Sequence, residues 1–216
     1  MSVPELHGYR ISVFSWVARW ALAEKGVAYR WVEVNPFAED VPADYLALNP
    51  FCRVPTLVDG DFTLFETGAI TEYVDEAFDG PPLMPATPVE RARVRQIVAL
   101  VAGDAYWPLV RQVFVHGSRR AAPDEAPDPA ELQAGLQRSR TVLAALERLA
   151  GEGPFLVGER LTLADLHLAP MVSYFCDAPE GARLLAAYPA LSRWSAEIFT
   201  HALYRKTRPD LSSPGE

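Results

Sequence analysis

Val54-Pro55, Asp59-Gly60 and Glu66-Thr67 are the residues of this chain whose types and spacing point to chemistry. Residues 49–67 read Asn-Pro-Phe-Cys-Arg-Val-Pro-Thr-Leu, then Val-Asp-Gly-Asp, then Phe-Thr-Leu-Phe-Glu-Thr. Pro55 has no N–H for a sheet ladder, so a proline opening a strand belongs at an edge or a bend, and X-Pro is the bond at which the cis form is cheap. A cis bond there turns the Val54 backbone outward, where an extended ligand can pair with it. Asp59-Gly60 between two strand signals predicts a hairpin. Glu66-Thr67 then opens a helix, whose unpaired N–H groups and positive dipole end favour a carboxylate. An ordinary N-cap is the other use of such a pair. Taken together, the three features describe a place for a peptide-like anion.

Holding that segment requires a small α/β domain. The periodicity predicts a strand over 5–11, a helix over 16–25 closed by Gly26, a strand over 29–34, one helical turn at 43–48, strands at 56–58 and 62–65, and a helix over 66–78. Proline crowds residues 80–88, and beyond them the period is helical. The expected organisation is an α/β domain at 1–79, a linker at 80–88 and an all-helical domain at 89–216. Thr87-Pro88-Val89-Glu90 and Asp128-Pro129-Ala130-Glu131 both read as helix starts, with a cap, a first-turn proline and a glutamate. Leu132, Leu136, Leu143, Leu146 and Leu149 form one apolar stripe, stopped by Gly151. Thr162 to Asp165 caps a further helix that Pro170 is expected to kink, and Leu191, Trp194, Ile198 and Phe199 mark a final long helix.

The composition, 216 residues with 50% hydrophobic and 22% charged, is that of an ordinary globular chain. A formal charge of -8 offers no attraction to nucleic acid or to an anionic membrane surface, so neither is expected as a partner. No run approaches the ~20 apolar residues of a membrane span, and no cationic segment leads into an apolar one at the start, so the expected compartment is cytoplasmic. Cys52 and Cys176 lack disulfide or metal spacing, and His7, His116, His167 and His201 lack ligand spacing, so no metal is expected.

Five motifs occur in order: Ala-Leu-Ala-Glu-Lys-Gly at 21–26, Asn-Pro-Phe-Cys-Arg-Val-Pro-Thr-Leu at 49–57, Phe-Glu-Thr-Gly-Ala-Ile at 65–70, Leu-Thr-Leu-Ala-Asp at 161–165 and Tyr-Pro-Ala-Leu-Ser-Arg-Trp at 188–194. With the domain order, they make essentially the whole chain resemble a cytosolic glutathione transferase. The resemblance implies a thioredoxin-like glutathione-binding domain, a helical domain that completes the second-substrate pocket, glutathione as co-substrate, a small apolar electrophile as second substrate, and a homodimer active in detoxification.

It also implies roles for particular residues. Glu66 and Thr67 hold the γ-glutamyl end of glutathione, the Val54 backbone beside Pro55 pairs with the cysteinyl unit, and Arg53 reaches toward the glycyl carboxylate. The thiol is activated by a hydroxyl between the first strand and the first helix. Ser12 occupies the place used by serine-type members, and Ser15 is the alternative, although Ser15 also reads as the N-cap of that helix. Tyr9 lies one position from the tyrosine of tyrosine-type members. Phe14, Tyr106, Trp107 and Arg111 are expected to line the second-substrate pocket, with Phe51 either keying into a partner subunit or buried in its own domain. Val13 and Phe14 depart from the Ser-Ser-Cys of the maleylacetoacetate-isomerase branch and make the mouth of the site apolar, which opposes thiolate formation. The resemblance leaves two other functions open: a non-catalytic binding or scaffold protein, and a glutathione-dependent isomerase or lyase.

Overall fold

The computed structural model describes residues 3–118 and 127–211. The chain divides into two compact units, one running to Leu83 and taking in Leu203–Asp210, the other holding Met84–Ala202. The first unit contains β1 (Glu5–Gly8), α1 (Val13–Glu24), β2 (Arg30–Glu33), α2 (Ala43–Leu48), β3 (Thr56–Asp59), β4 (Phe62–Phe65) and α3 (Thr67–Ala77), the order that the periodicity predicts. The sheet order is β2-β1-β3-β4, with β2 parallel to β1 and the other two pairs antiparallel. A parallel neighbour needs a crossover, and α1 supplies it. The result is a thioredoxin-like unit, with Leu6 and Leu57 opposite each other in register and both buried. α1 buries Trp16, Val17, Trp20 and Leu22 and packs on α3. It ends where Gly26 takes φ 65°, with Gly26 N–H bonded to Ala23 O and Val27 N–H to Leu22 O, the paired bonds of a Schellman stop.

The first strand and helix differ from expectation at their shared boundary. β1 stops at Gly8 rather than continuing to residue 11, and α1 starts at Val13 rather than Trp16. Gly8 lies so close to Trp31 that a Cβ there would stand 2.6 Å from the indole and 2.8 Å from Ser15 Oγ. The chain turns immediately afterwards, with Ser12 N–H bonded to Tyr9 O at 2.9 Å. Ser12, not Ser15, is the N-cap.

Residues 203–210 close the back of α1. Tyr204 is 3% exposed, its ring 5.1 Å from Trp16 and 5.5 Å from Trp20 by centroids, and Trp16 Nε1 donates to Thr207 Oγ1 at 2.9 Å. Replacing a buried aromatic by alanine costs about 3–5 kcal/mol. Tyr204→Ala is therefore expected to lower the urea midpoint, read by tryptophan fluorescence, by an amount worth about 3 kcal/mol. A change below about 1 kcal/mol would show that this segment does not hold the first unit.

The second unit is all helical: α4 (Pro88–Leu100), α5 (Val115–Gly117), α6 (Pro129–Leu149), α7 (Leu163–Asp177), α8 (Pro179–Leu185) and α9 (Pro189–Ile198), while α10 (Ala202–Thr207) leads back into the first. The two predicted starts hold. Thr87 Oγ1 accepts from Glu90 N–H at 3.3 Å, and Asp128 Oδ1 accepts from Ala130 N–H at 2.8 Å. α7 runs through the buried Pro170. The last helix is shorter than expected, since Thr200 N–H bonds to Glu197 O and His201 N–H to Ile198 O, three-residue turns that end it before α10 begins. Between α4 and α5 the chain is π-helical over Val101–Ala105 and Trp107–Phe114. Pro108, which has no N–H to donate, stands at the start of the second stretch.

Candidate functional site

Strand register brings the singled-out segments of the first unit to one end of the sheet. His7 on β1 pairs with Thr56 on β3, which pairs with Phe65 on β4. The residues just beyond those positions are the turn 9–12, Pro55 with Val54, and Glu66 with Thr67. All three therefore leave the sheet at the same end, on three adjacent strands.

The Val54-Pro55 bond is cis, as the sequence suggests. Val54 stands outside the ladders, and its N–H and carbonyl take no partner among the described residues. The segment around it is firmly held. Arg53 O accepts from Tyr45 OH and from Asn49 Nδ2 at 2.9 Å, and Thr56 Oγ1 lies 3.0 Å from Tyr45 OH and 3.2 Å from Asn49 Nδ2. Asn49 Oδ1 also accepts from Phe51 N–H at 3.1 Å. Tyr45, Asn49 and Thr56 are 3%, 2% and 0% exposed, so this polar cluster is shielded and fully used. Sequence reasoning missed all three; the only signal was Asn49 before Pro50, just after a helical turn. The Arg53 side chain is exposed, its guanidinium 6.0 Å from the Phe51 ring centroid. Phe51 is 60% exposed and edge-on to Phe65 at 5.9 Å.

Glu66 is the N-cap residue of α3, yet its side chain makes no capping bond, and its backbone sits at φ 71°, ψ 115°. A non-glycine residue in that region costs about 1–3 kcal/mol and marks a place worth a functional reading. Simple capping therefore does not account for Glu66. Thr67, the first helical residue, is buried.

At the third strand end, Ser12 is half-buried and its Oγ accepts from Ser15 N–H at 3.3 Å. Ser15 lies inside α1 at 0% exposure, its Oγ accepting from Tyr9 N–H at 3.2 Å. The expectation that Ser15 caps the helix is thus overturned, because the chain turns at Tyr9 to Ser12 and the cap comes three residues earlier. Tyr9 sits in that turn, its ring 6.3 Å from Phe37. Phe14 is half-buried in the first turn of α1.

Tyr106, Trp107 and Arg111 belong to the second unit, on and between its π-helical stretches. In a π-helix the bonds run from i to i+5, so Tyr106 and Arg111 become neighbours, whereas an α-helix would have aligned Trp107 with Arg111. Burial pushes the Tyr106 phenol above its ordinary range, and the positive charge of Arg111 acts in the opposite direction. Trp107 is 55% exposed.

Both cysteines are free thiols. Burial, with Asp177 beside it, pushes the Cys176 thiol up to about 12, which keeps it protonated and inert at neutral pH. Among the described residues, no three His, Cys, Asp or Glu side chains gather as a metal ion would require, and no helix is long and apolar enough to cross a membrane.

Comparison with known proteins agrees with this architecture. Residues 6–82 match the family model of the glutathione S-transferase N-terminal domain, and residues 129–197 that of the glutathione S-transferase C-terminal domain. A stringent starvation protein A homolog of Haemophilus ducreyi is 33% identical over 79% of this chain and 74% of its own length. A maleylacetoacetate isomerase of Pseudomonas aeruginosa is 33% identical over 95% of each chain. Among solved structures, the theta class glutathione S-transferase from Xanthomonas axonopodis pv. citri with glutathione bound is 29% identical, with a TM-score of 0.81 over 96% of this chain and 97% of the other. The domain pair, its order and this coverage lead to one statement: the chain belongs to the cytosolic glutathione S-transferase superfamily.

Proposed function

We propose that the protein is a serine-type glutathione transferase, in which the first unit binds glutathione and Ser12 stabilises its thiolate for attack on an apolar electrophile. The observation that supports this reading is that three segments leave the sheet at the same end: the turn holding Ser12, Val54 beside cis-Pro55, and Glu66-Thr67 at a helix start. An extended tripeptide has matching needs. Its γ-glutamyl carboxylate suits the Thr67 hydroxyl and the start of α3, its ammonium suits Glu66, its cysteinyl amide and carbonyl suit Val54, and its glycyl carboxylate suits Arg53. Phe14 serves the electrophile in this reading. Pairing of two copies through Phe51 belongs to it as well, and sedimentation tests that part.

Glutathione calorimetry tests the reading directly. Wild type is expected to bind at millimolar ligand or below, and absence of binding there would end the proposal. Because a hydrogen bond to a charged group contributes about 1.5–3 kcal/mol, Glu66→Ala is expected to weaken binding roughly 10- to 100-fold. An unchanged Kd would remove Glu66 from the site.

A second reading, binding without catalysis, draws on the stringent starvation protein A homolog, whose name carries no enzymatic activity. It predicts glutathione binding with no conjugation of chloro-dinitrobenzene. An isomerase draws on the Pseudomonas relative, but Val13 and Phe14 stand where that branch of the family carries serine and cysteine. Cis-to-trans isomerisation of maleylacetoacetate without net conjugation of glutathione would favour it.

A further inference from the structure

We propose that Ser15, Arg19 and Glu33 are positioning residues that together fix Ser12 for thiol activation; the inference rests on the reading of Ser12 given above. The turn between β1 and α1 is tied on both sides of its chain. Tyr9 N–H donates to Ser15 Oγ at 3.2 Å, and Arg10 N–H donates to Glu33 Oε1 at 2.9 Å. Arg10 O accepts from Arg19 Nη2 at 3.2 Å, and Tyr9 O accepts from Ser12 N–H at 2.9 Å. Four successive backbone groups around Ser12 are therefore committed, three of them to side chains of α1 and β2.

The side chains brace one another. Glu33 Oε2 accepts from Trp31 Nε1 at 2.7 Å, which leaves the carboxylate little rotational freedom, and the Arg19 guanidinium lies 5.4 Å from the centre of the Trp31 ring. The ring closes from Glu33 through Trp31, Arg19 and the Arg10 peptide back to Glu33. The same indole approaches Gly8 so closely that only glycine fits there.

Ser15 cannot itself meet a thiol, because it is fully buried behind Gly8. Its amide acts on Ser12 instead. The Ser15 N–H occupies one lone pair of Ser12 Oγ at 3.3 Å, and accepting that bond makes the Ser12 hydroxyl a better donor. The Ser12 O–H is then directed away from the helix, toward a thiolate outside it. No bond forms or breaks in this step; one hydrogen bond to sulfur is held ready.

The test uses the full chain with glutathione and chloro-dinitrobenzene, and follows kcat/KM against pH in Ser15→Ala, Glu33→Ala and Glu33→Gln. Ser15→Ala and Glu33→Ala are expected to move the apparent thiol pKa up by about 0.5–1 unit, a threefold to tenfold loss at neutral pH. The KM for glutathione should stay within about twofold, since Val54, Glu66 and Thr67 are untouched. Glu33→Gln keeps an acceptor for Arg10 N–H and should lie nearer wild type. The sign is diagnostic: removing a nearby negative charge would by itself lower a thiol pKa, whereas loss of positioning raises it. Glu33 is exposed, so its variants report even if Ser15→Ala folds poorly. A profile unmoved or moved down in Glu33→Ala, with Ser12→Ala still moving it up, overturns the positioning role alone. If Ser12→Ala leaves the profile in place, the reading of Ser12 fails and this inference falls with it.

Discussion

Asp165→Ala is expected to destabilise the protein by about 3–5 kcal/mol. The carboxylate is 0% exposed and accepts four hydrogen bonds. Oδ1 takes Leu156 N–H at 2.8 Å and Trp194 Nε1 at 2.9 Å, and Oδ2 takes Thr162 N–H at 2.8 Å and Thr162 Oγ1 at 2.9 Å. Burial pushes the carboxyl above the usual carboxylate range, and the four donors act against that shift. Removing the side chain relieves one desolvation cost and strands four donors, each worth about 1–3 kcal/mol when left unsatisfied. The donors come from the loop before α7, the start of α7 and the middle of α9, so the loss uncouples three parts of the unit. Asp165→Asn keeps the volume but turns an NH2 toward two donors, and should recover less than half of the loss. Urea unfolding with an unchanged m-value measures both variants; a cost below about 1 kcal/mol for Asp165→Ala would show that the donors find other partners.

That junction also shows what was legible beforehand. Leu-Thr-Leu-Ala-Asp and Tyr-Pro-Ala-Leu-Ser-Arg-Trp were readable as separate local motifs, yet only the fold shows that the last residue of each meets the other. Strand and helix order was readable because alternation and the helical period differ sharply over residues 5–78, and because Gly26, Thr87 and Asp128 carry local stop and cap chemistry. The β1-to-α1 boundary was not. Ser12 and Ser15 are both good caps, and Ser12 takes the role because the chain turns at Tyr9 to Ser12, with Ser12 N–H on Tyr9 O. The return of Tyr204 to α1 is likewise a tertiary outcome without a local pattern. Of the candidate site, the cis Val54-Pro55 bond was legible because X-Pro admits that form, and the place of Glu66-Thr67 because the pair opens a helix. Tyr45, Asn49, Thr56 and Glu33 were not, because a residue that acts by holding a loop looks like any polar residue until the loop is closed.

Ser12→Ala carries the largest expected effect on activity. A glutathione thiol of pKa near 8.5 is only a few per cent ionised at neutral pH, so a transferase must lower that pKa. One hydrogen bond to the thiolate contributes about 1.5–3 kcal/mol, or roughly one to two pKa units. Losing it should therefore raise the apparent pKa in the kcat/KM profile by about one to two units and reduce kcat/KM at neutral pH roughly 10- to 100-fold. Above the raised pKa the deficit should shrink, because the thiolate then forms without help. The pH dependence separates activation from simple damage: a variant that only lowers the fraction of folded enzyme loses rate at every pH without moving the pKa. Ser12 is also the N-cap of α1, and alanine there costs about 1 kcal/mol of stability, so thermal unfolding must accompany the kinetics. Glutathione affinity should change little, because Val54, Glu66 and Thr67 carry it in this reading. Ultraviolet absorbance of the bound thiolate gives the direct comparison: it should fall in Ser12→Ala at neutral pH and return as the pH is raised. If the absorbance persists at neutral pH in Ser12→Ala, the thiolate is stabilised by the start of α1 alone, and the serine-type mechanism is wrong for this protein.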